Sequence, residues 1–482
     1  MKALAVLATL AGCAPLVMEA PTPAWVNDTS SYGGPNQPRP IVEHYRETAN
    51  KIISTARADR GAYKKLAYLT DQIGHRLAGS PELDKAIAWA AQAMKDDGLD
   101  ARTEKVMVPH WVRGAEEASI TAPITRPLHL LTLGGSVATP KGGITAPVVV
   151  VHDWKELDAK AESVKGAIVV YNVAMPAWTP EKGSGYGKTV EYRFAGASQA
   201  AKRGAVAALV RSVTAKSLST AHTGAMGYDK EQPKIPTASI TVEDAELLDR
   251  LSAQGKVTLH LRLEPQLLPD AESANVIGEL RGREKPDEVV VIGGHIDSWD
   301  VGQGAHDDGA GIVTMMQAVR VLKQLGLTPR RTIRVVLFTN EENGTRGAKT
   351  YAETHKAELA KTVLALESDS GGFAPRGFGV GHKDPEAAKR TRARLTEVAA
   401  LLAPLGKLKV DDGHGGTDIE PMAAAGVPQV GLEVAGEKYF DYHHTEADTL
   451  DKVDPQDLAD MVAAVAVLAY VVADLPDRVD AP

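Results

Sequence analysis

The chain has 482 residues, of which 44 % are apolar and 24 % are charged, and its formal net charge at pH 7 is -8. This length predicts two or three domains, and the balance of residues is typical of a mildly acidic, soluble globular protein. Lysine and arginine are scattered along the chain, which argues against a nucleic-acid partner. The single cysteine excludes a disulfide framework.

The N-terminus has the pattern of an export signal. A basic start precedes apolar residues 3–10, and residues 10–13 (Leu-Ala-Gly-Cys) resemble the lipobox of bacterial lipoprotein signal peptides. We predict a signal peptide over residues 1–12 and a lipid on Cys13 as the only link to a membrane, which places the protein in the cell envelope, in the periplasm or at the outer membrane. The ordinary signal of a secreted protein is the alternative. Residues 13–45, rich in Pro, Asn, Ser and Gly, are predicted to be a tether.

The first regular elements after the tether are a helix and a strand. Ser80 followed by Pro81 is a frequent helix start, and this helix is predicted to reach Met94 and to end before Gly98. Residues 103–108 are predicted to form a strand.

Residues 118–268 differ from the rest of the chain in their sequence pattern and are predicted to be a separate α/β insert. Strand-like runs at 148–151, 167–171 and 235–240 alternate there with loops and with an alanine-rich helix at 198–210. The order of these runs resembles the protease-associated domain. Residues 183–189 resemble a phosphate-binding loop, but the first glycine is one residue too close and no strand precedes it, which favours a flexible loop.

The chain after residue 275 alternates strands and helices regularly. A β-branched strand at 289–292 is followed by an amphipathic helix at 311–326 and by strands at 332–338 and 363–366. This alternation predicts an α/β fold with a doubly wound, mostly parallel sheet, built from residues 46–117 and 269–475.

The most apolar stretch of the later chain is at 461–473. It is shorter than the ~18 to 20 residues that a membrane span needs. With Asp454 as N-cap and Pro455 at the first helical position, it is predicted to belong to a buried C-terminal helix.

Acidic and histidine residues follow the predicted strands of this sheet. They are His295 and Asp307, the pair Glu341-Glu342, Asp369, and a late pair His443-His444. In α/β sheets such strand ends meet at one edge, where ligands bind. Nitrogen and oxygen donors without sulfur suit zinc, and clustered carboxylates repel one another unless cations neutralise them. Two divalent ions would complete a hydrolytic two-metal site.

Four segments resemble one family in both sequence and order. They are HIDSWDVGQGAHDDGAG (295–311), FTNEENGTRGA (338–348), LESDSGG (366–372) and HHTEADTLDKVDP (443–455). They resemble the di-zinc exopeptidases, the family of bacterial leucyl aminopeptidases and glutamate carboxypeptidases, and within it the branch of plasma glutamate carboxypeptidase, or carboxypeptidase Q. The similarity covers residues 45–474 and implies the zinc exopeptidase fold for the catalytic domain, with an inserted protease-associated domain.

The resemblance implies two Zn²⁺ ions per chain and a role for each residue at the strand ends. The implied ligands are Asp307 as the bridge, His295 and Asp369 on one ion, and Glu342 and His444 on the other. Glu341 is then the general base on a water that bridges the metals. Asp297 is expected to accept the second imidazole N–H of His295 and so to fix its tautomer.

Three further residues carry open or subsidiary interpretations. His444 is preferred to His443 as a ligand because the family's ligand precedes Thr in a His-Thr-x-x-Asp-Thr pattern, and His443 is the alternative. His414, on a glycine-rich loop, either stabilises the oxyanion of the reaction or is an ordinary loop histidine. Asp308 is predicted to set the backbone turn or to cap the helix that follows.

The function implied is a zinc-dependent exopeptidase that acts on the terminal bonds of small peptides or dipeptides, as a carboxypeptidase or an aminopeptidase. A homodimer is a further expectation from the resemblance. Two alternatives stay open at this point. One is a single-zinc glutaminyl cyclase on the same fold, and the other is a non-catalytic binding or receptor homologue.

Overall fold

Two eight-stranded sheets organise residues 40–482, which is the part of the chain that this computed structural model describes. The predicted signal peptide at 1–12 and the predicted lipid site at Cys13 lie outside the described residues and stay predictions. A helix begins at Pro40, so the end of the tether predicted at 13–45 is helical instead. Ile41 and Tyr45 of this helix are buried in the core, and their burial stabilises the helix.

The elements are named in chain order. The strands are β1 (Asp100–Val112), β2 (Glu116–Ala122), β3 (Arg126–Leu128), β4 (Leu130–Thr132), β5 (Ile144–Val151), β6 (Ile168–Tyr171), β7 (Ala207–Arg211), β8 (Thr237–Ile240), β9 (Thr258–Leu263), β10 (Gln266–Leu280), β11 (Lys285–His295), β12 (Arg331–Phe338), β13 (Thr362–Glu367), β14 (Pro375–Gly381), β15 (Lys409–Asp412) and β16 (Gln429–Val434). The α-helices are α1 (Pro40–Ala58), α2 (Gly61–Tyr68), α3 (Pro81–Asp96), α4 (Trp154–Ala159), α5 (Ala161–Val164), α6 (Tyr186–Ala201), α7 (Val242–Gln254), α8 (Ala310–Gln324), α9 (Arg346–Thr354), α10 (Pro385–Ala400), α11 (Glu420–Ala423), α12 (Tyr439–Tyr442) and α13 (Pro455–Asp474).

The first sheet has the strand order β1-β10-β12-β11-β13-β16-β14-β15, and its centre is doubly wound. The four central strands, β12, β11, β13 and β16, run parallel, as the alternation of strands and helices predicts. Alternate side chains of β11 enter different cores: Val290 and Ile292 pack with α8 and α13, whereas Val291 packs with α9 on the other face. This burial on both faces explains the uninterrupted β-branched run in the sequence.

Both ends of the first sheet are antiparallel, so the expectation of a mostly parallel sheet holds only for its centre. β10 pairs antiparallel with β1 and β12, and β14 pairs antiparallel with β16. The second sheet lies between β1 and β10 in the sequence. The chain leaves the first sheet at Val112 and returns opposite it at Gln266, so the two strands run in opposite directions.

The second sheet is built from residues 116–263, nearly all within the predicted insert at 118–268. Its order is β3-β2-β9-β5-β6-β7-β8-β4, with β5 to β8 parallel. It has hydrophobic clusters of its own, around Ile168 and Leu209 on one face and Tyr171 on the other. The division into domains and the protease-associated assignment of the insert stay predictions.

The helix predicted at 198–210 is confirmed only over 198–201 and is wrong over 202–210. α6 ends at Ala201, Gly204 adopts a positive φ of 83°, and β7 follows at once. β7 is buried between β6 and β8, so pairing on both edges outweighs the helix propensity of its two alanines. The loop predicted at 183–189 is also shorter than expected, because α6 already begins at Tyr186.

The N-caps predicted for two helices are confirmed. The Ser80 hydroxyl accepts a hydrogen bond from the backbone N–H of Leu83 at the start of α3. The Asp454 carboxylate accepts hydrogen bonds from the N–H groups of Gln456 and Asp457 at the start of α13. Each cap satisfies N–H groups that have no partner inside their own helix.

The buried C-terminal helix is also confirmed, and α13 is longer than the predicted stretch. Of the helices between residues 40 and 482, it alone is long and apolar enough to cross a membrane, but 83 % of its most apolar window is buried inside the protein. It packs against α1 and α8, so it is a core helix beside the first sheet.

We predict that Leu468→Ala in α13 lowers the free energy of unfolding by about 2 to 5 kcal/mol, because Leu468 is fully buried and truncation leaves a cavity. The matched control is Leu267→Ala. Leu267 is 74 % exposed, and its truncation should change the free energy by less than about 0.5 kcal/mol. Urea unfolding followed by tryptophan fluorescence measures both. Equal midpoints for the two variants would show that α13 is not a core helix.

Candidate metal centre

The carboxyl ends of three neighbouring parallel strands meet at one edge of the first sheet. His295 is the last residue of β11 and lies beside Phe338, the last residue of β12. Glu341 and Glu342 follow β12, and Asp369 follows β13. The sequence pattern of polar residues at successive strand ends therefore becomes a single cluster in space.

Asp307 stands at the centre of this cluster, with one carboxylate oxygen directed to each half. Its Oδ1 lies 3.2 Å from Nε2 of His295, which is itself 3.5 Å from Oδ1 of Asp369. Its Oδ2 lies 3.2 Å from Nε2 of His444, which is 3.1 Å from Oε2 of Glu342. All five residues expected to hold metal are thus connected through contacts of 3.1 to 3.5 Å.

His443 also reaches the cluster, so the alternative to His444 keeps some geometric support. Nε2 of His443 lies 3.7 Å from Oδ2 of Asp307, and the two imidazole rings stack with centroids 3.5 Å apart. His444 contacts both Asp307 and Glu342, whereas the ion pairs of His443 include Asp307 alone. The two-fold contact favours His444 as the ligand.

The donor set fits a pair of divalent cations. Among residues 40–482, four buried atoms of the cluster have no hydrogen-bond partner; they are Nε2 of His295, Oδ2 of Asp307, Oε1 of Glu342 and Oδ1 of Asp369. Buried polar atoms without partners are costly, and here they point at one another. Nitrogen and carboxylate donors in this arrangement suit zinc, which would satisfy them.

The electrostatics of the cluster show how strongly it attracts positive charge. Burial alone lowers the pKa of His444, but the carboxylates of Glu342 and Asp307 raise it to about 10. Burial raises the pKa of Asp307, but the close imidazoles of His295 and His444 hold it well below its usual range. The cage thus favours the positive form of its imidazoles and the negative form of its central carboxylate.

Glu341 lies next to the cluster without joining any of its ion pairs. Burial raises the pKa of Glu341 to about 8, and the carboxylates of Asp369 and Glu342 add to this rise. Its side chain lines the same cavity as Asp307 and Glu342. A carboxylate beside the metal cluster, free to gain and lose a proton, has the position that a general base needs.

Asp297 plays a different part from the one expected. Nδ1 of His295 lies 3.0 Å from the backbone carbonyl oxygen of Asp297 and 3.9 Å from its carboxylate, so the carbonyl accepts the imidazole N–H. The Asp297 carboxylate instead accepts hydrogen bonds from the backbone N–H groups of Glu341 (3.0 Å) and Glu342 (3.3 Å). The expectation was wrong in the acceptor atom, because the turn after β11 brings the carbonyl nearer to the ring than the side chain.

Asp308 caps the helix that follows, as predicted, and also holds the strand end. Its carboxylate accepts hydrogen bonds from the backbone N–H groups of Gly311 at the start of α8 (3.1 Å) and of His295 (3.2 Å). The peptide bond between Asp307 and Asp308 is cis. The metal-facing pair His295 and Asp307 is therefore tied together through Asp308.

Two residues that support the cluster escaped the sequence reasoning. Asp448 accepts hydrogen bonds from the backbone N–H groups of Asp307 (3.2 Å) and His306 (2.7 Å). Arg76 is fully buried and donates to the backbone carbonyls of Ile296 and Gln303. Asp448 stands in the His-Thr-x-x-Asp-Thr pattern and could have been singled out, but nothing in the sequence links Arg76 to a loop 220 residues away.

A cavity of about 720 Å³ opens onto the cluster. His414 lies on its wall and is exposed, so the structure places this residue in reach of a bound molecule without assigning it a role. The opposite wall comes from the second sheet and its loops, through Trp178, Tyr186 and Arg193. The binding space is therefore shared between both parts of the chain.

Comparisons with known proteins agree with this geometry. Residues 275–469 match the sequence model of Peptidase family M28. Carboxypeptidase Q of Mus musculus is 43 % identical over 441 residues, which cover 90 % of this chain and 91 % of that protein. The crystal structure of a Peptidase M28 precursor from Shewanella amazonensis superposes with a TM-score of 0.85 at 37 % identity, covering 90 % of this chain and 98 % of that one.

A more distant structure shares the fold. It is a zinc aminopeptidase from Bacillus subtilis, with a TM-score of 0.61 and 22 % identity over 85 % of this chain and 94 % of that one. The match to carboxypeptidase Q covers 90 % of this chain at 43 % identity, well above the 22 % identity of the aminopeptidase. This match establishes the family relationship. The chain therefore belongs to peptidase family M28, a family of metallo-exopeptidases.

Proposed function

We propose that this chain is a zinc-dependent exopeptidase that hydrolyses the terminal peptide bonds of small peptides or dipeptides. The observation that carries the proposal is the position of Asp307. One of its oxygens faces His295 and Asp369, and the other faces Glu342 and His444, as a bridging ligand between two ions requires.

Five residues would hold two zinc ions, with Asp307 shared between them. The aminopeptidase from Bacillus subtilis that shares the fold is a zinc enzyme, and the nitrogen and oxygen donors of this chain suit the same metal. When bound, zinc lowers the pKa of a coordinated water and polarises the carbonyl of the scissile bond.

Glu341 would carry the proton in this reaction. Its carboxylate lines the cavity beside Asp307, where it can accept a proton from the attacking water and deliver it to the leaving amine. Asp297 keeps the Glu341 backbone in place through a charged hydrogen bond of 3.0 Å. His414, on the cavity wall, is a candidate donor to the developing oxyanion.

The size of the cavity supports a small substrate. A space of about 720 Å³ is in the range of ~300 to 1,000 Å³ that holds small molecules, and a dipeptide or short peptide end fits it. Trp178 and Tyr186 contribute to the wall of this space.

The two alternative functions are less well supported by the same cluster. A single-zinc glutaminyl cyclase needs one metal, yet Asp307 has a histidine and a second carboxylate on each of its two sides. A non-catalytic receptor has no need for a half-buried carboxylate such as Glu341 next to the expected metal ligands.

We predict that Glu341→Gln lowers kcat by about 10²- to 10⁴-fold and keeps its zinc, because the amide cannot accept the proton. Asp307→Ala should lose both activity and zinc, since the remaining donors lose their shared anion. Dipeptide hydrolysis and zinc content by atomic absorption measure the two effects. Retained turnover in Glu341→Gln would place the general base elsewhere.

We predict that the purified protein binds two zinc equivalents per chain. Dialysis against a chelator should abolish hydrolysis, and titration with zinc should restore it with a break at two equivalents. A break at one equivalent, with cyclisation of an N-terminal glutamine, would establish the cyclase. Protein that binds no divalent metal would overturn the proposal.

We predict that Asp297→Asn lowers kcat or zinc affinity by about 10- to 100-fold, because an amide has one acceptor oxygen for two backbone N–H groups. The matched control is Asp287→Asn, on the opposite end of β11, where the side chain is 77 % exposed. That variant should keep wild-type kinetics and zinc content. If Asp297→Asn also does so, the hydrogen bonds to Glu341 and Glu342 are not needed for the site.

A further inference from the structure

The second sheet delivers one buried cation to the cavity wall. Arg193, in α6, is 7 % exposed, and its Nη1 lies 3.4 Å from Nδ1 of His444. Nε2 of the same ring faces Asp307 and Glu342. The imidazole ring of His444 therefore lies between the guanidinium and the metal centre.

The guanidinium is held firmly but lacks an anionic partner. Within residues 40–482 none of its contacts is anionic: it donates to the Tyr186 hydroxyl at 2.7 Å and to the Thr223 carbonyl at 3.4 Å, and its Nη1 lies 3.4 Å from Nδ1 of His444. Its Nε is buried without any partner. Contacts of 3.4 Å are long for hydrogen bonds, so most of its donor capacity is unused.

Other buried arginines of this protein are satisfied. Arg334 pairs with Glu279 at 2.7 Å, and Arg331 pairs with Glu288 at 2.5 Å. Arg76 makes no ion pair in the described part of the chain, but its guanidinium donates to four backbone carbonyls. The unused donors of Arg193 are therefore a property of this position and not of buried arginine in general.

The surroundings hold the guanidinium in one orientation. The Tyr186 ring lies 5.5 Å from its carbon, at cation–π distance. On Gly224, whose φ is 142°, a Cβ would come within 2.4 Å of the same carbon, so only glycine allows this approach. An arginine fixed in this way is prepared to bind a planar anion with both arms.

A buried charge is costly unless it is paired, so the ligand of the cavity is expected to bring the anion. The carboxylates of the metal centre are neutralised by the cations of the proposed enzyme. A peptide substrate has one anionic group that is always present, the free α-carboxylate of its C-terminal residue. One residue spans roughly 3.5 Å, so a C-terminal carboxylate bound by the guanidinium would leave the preceding peptide bond one residue away, on the side of the metal centre.

We propose that Arg193 is a specificity-determining residue that binds the free α-carboxylate of the substrate. The enzyme is then a dipeptidase or carboxypeptidase that removes the C-terminal residue, and it discriminates against peptides whose C-terminus is blocked. This inference rests on the proposed function and adds the end of the substrate that is recognised. It also gives the second sheet a direct part in binding.

The test compares one dipeptide as the free acid with the same dipeptide as its C-terminal amide, with the amino group free in both. Wild-type enzyme should hydrolyse the free acid with the higher kcat/KM. Arg193→Met should lower kcat/KM for the free acid at least about 30-fold, mainly through KM, and change that for the amide less than about 3-fold. Arg193→Lys, which keeps the charge but loses the fork, should be intermediate.

The matched control is Arg203→Met. Arg203 follows the same helix but pairs with Asp158 on the surface of the second sheet. Its substitution should leave kcat/KM for both substrates unchanged. Zinc content and unfolding midpoint are measured for every variant. Arg193→Met should keep two zinc equivalents, which separates binding of substrate from support of His444.

Two results would overturn this inference and leave the proposed function intact. One is equal hydrolysis of acid and amide by the wild-type enzyme. The other is a change in both Arg193 variants that is not specific to the free acid. An equal loss of kcat/KM for acid and amide would mean that Arg193 acts on the transition state, and a loss of zinc would mean that it supports His444. A wild-type enzyme that holds zinc and cleaves neither dipeptide would overturn both proposals.

Discussion

The concentration of negative charge around Asp307 is the constraint on which the rest of the site depends. Asp307, Glu342 and Asp369 are brought together at a buried sheet edge, where carboxylates repel one another unless cations lie between them. The two imidazoles of His295 and His444 oppose this charge in the protein itself. The proposed pair of divalent ions would do so more completely.

A second group of carboxylates holds this arrangement by accepting hydrogen bonds from the backbone. Asp297 orders the Glu341–Glu342 turn, and Asp448 orders the segment that carries Asp307. Asp308 joins the end of β11 to the start of α8. Burial raises the pKa of all three carboxyl groups, and the backbone N–H donors satisfy their buried oxygens. The ligands are thus positioned through their main chain as well as through their side chains.

The second sheet is part of the site and not an appendage. The backbone of Thr223 exchanges contacts with His444: its N–H donates to the His444 carbonyl at 3.0 Å, and its carbonyl lies 3.2 Å from Nδ1 of that ring. Arg113 joins the two parts again, because it donates to the Asp300 carboxylate and to the Thr132 carbonyl. Movement of the second sheet would therefore disturb His444, which lies in the candidate metal centre.

The amino-acid sequence by itself determined the parallel strands at the centre of the first sheet and the polar residues at their ends. Hydrophobic runs and strand-end residues are local features, and parallel pairing of β11, β12 and β13 collects them at one edge. Only the tertiary structure decided the antiparallel ends of that sheet, the strand β7 in place of a helix, and the carbonyl of Asp297 as the partner of His295. It also decided the positions of Arg76 and Arg193, which reach the site from more than 200 residues away. These features depend on pairing partners and burial that are distant in sequence, so no local pattern of residues encodes them.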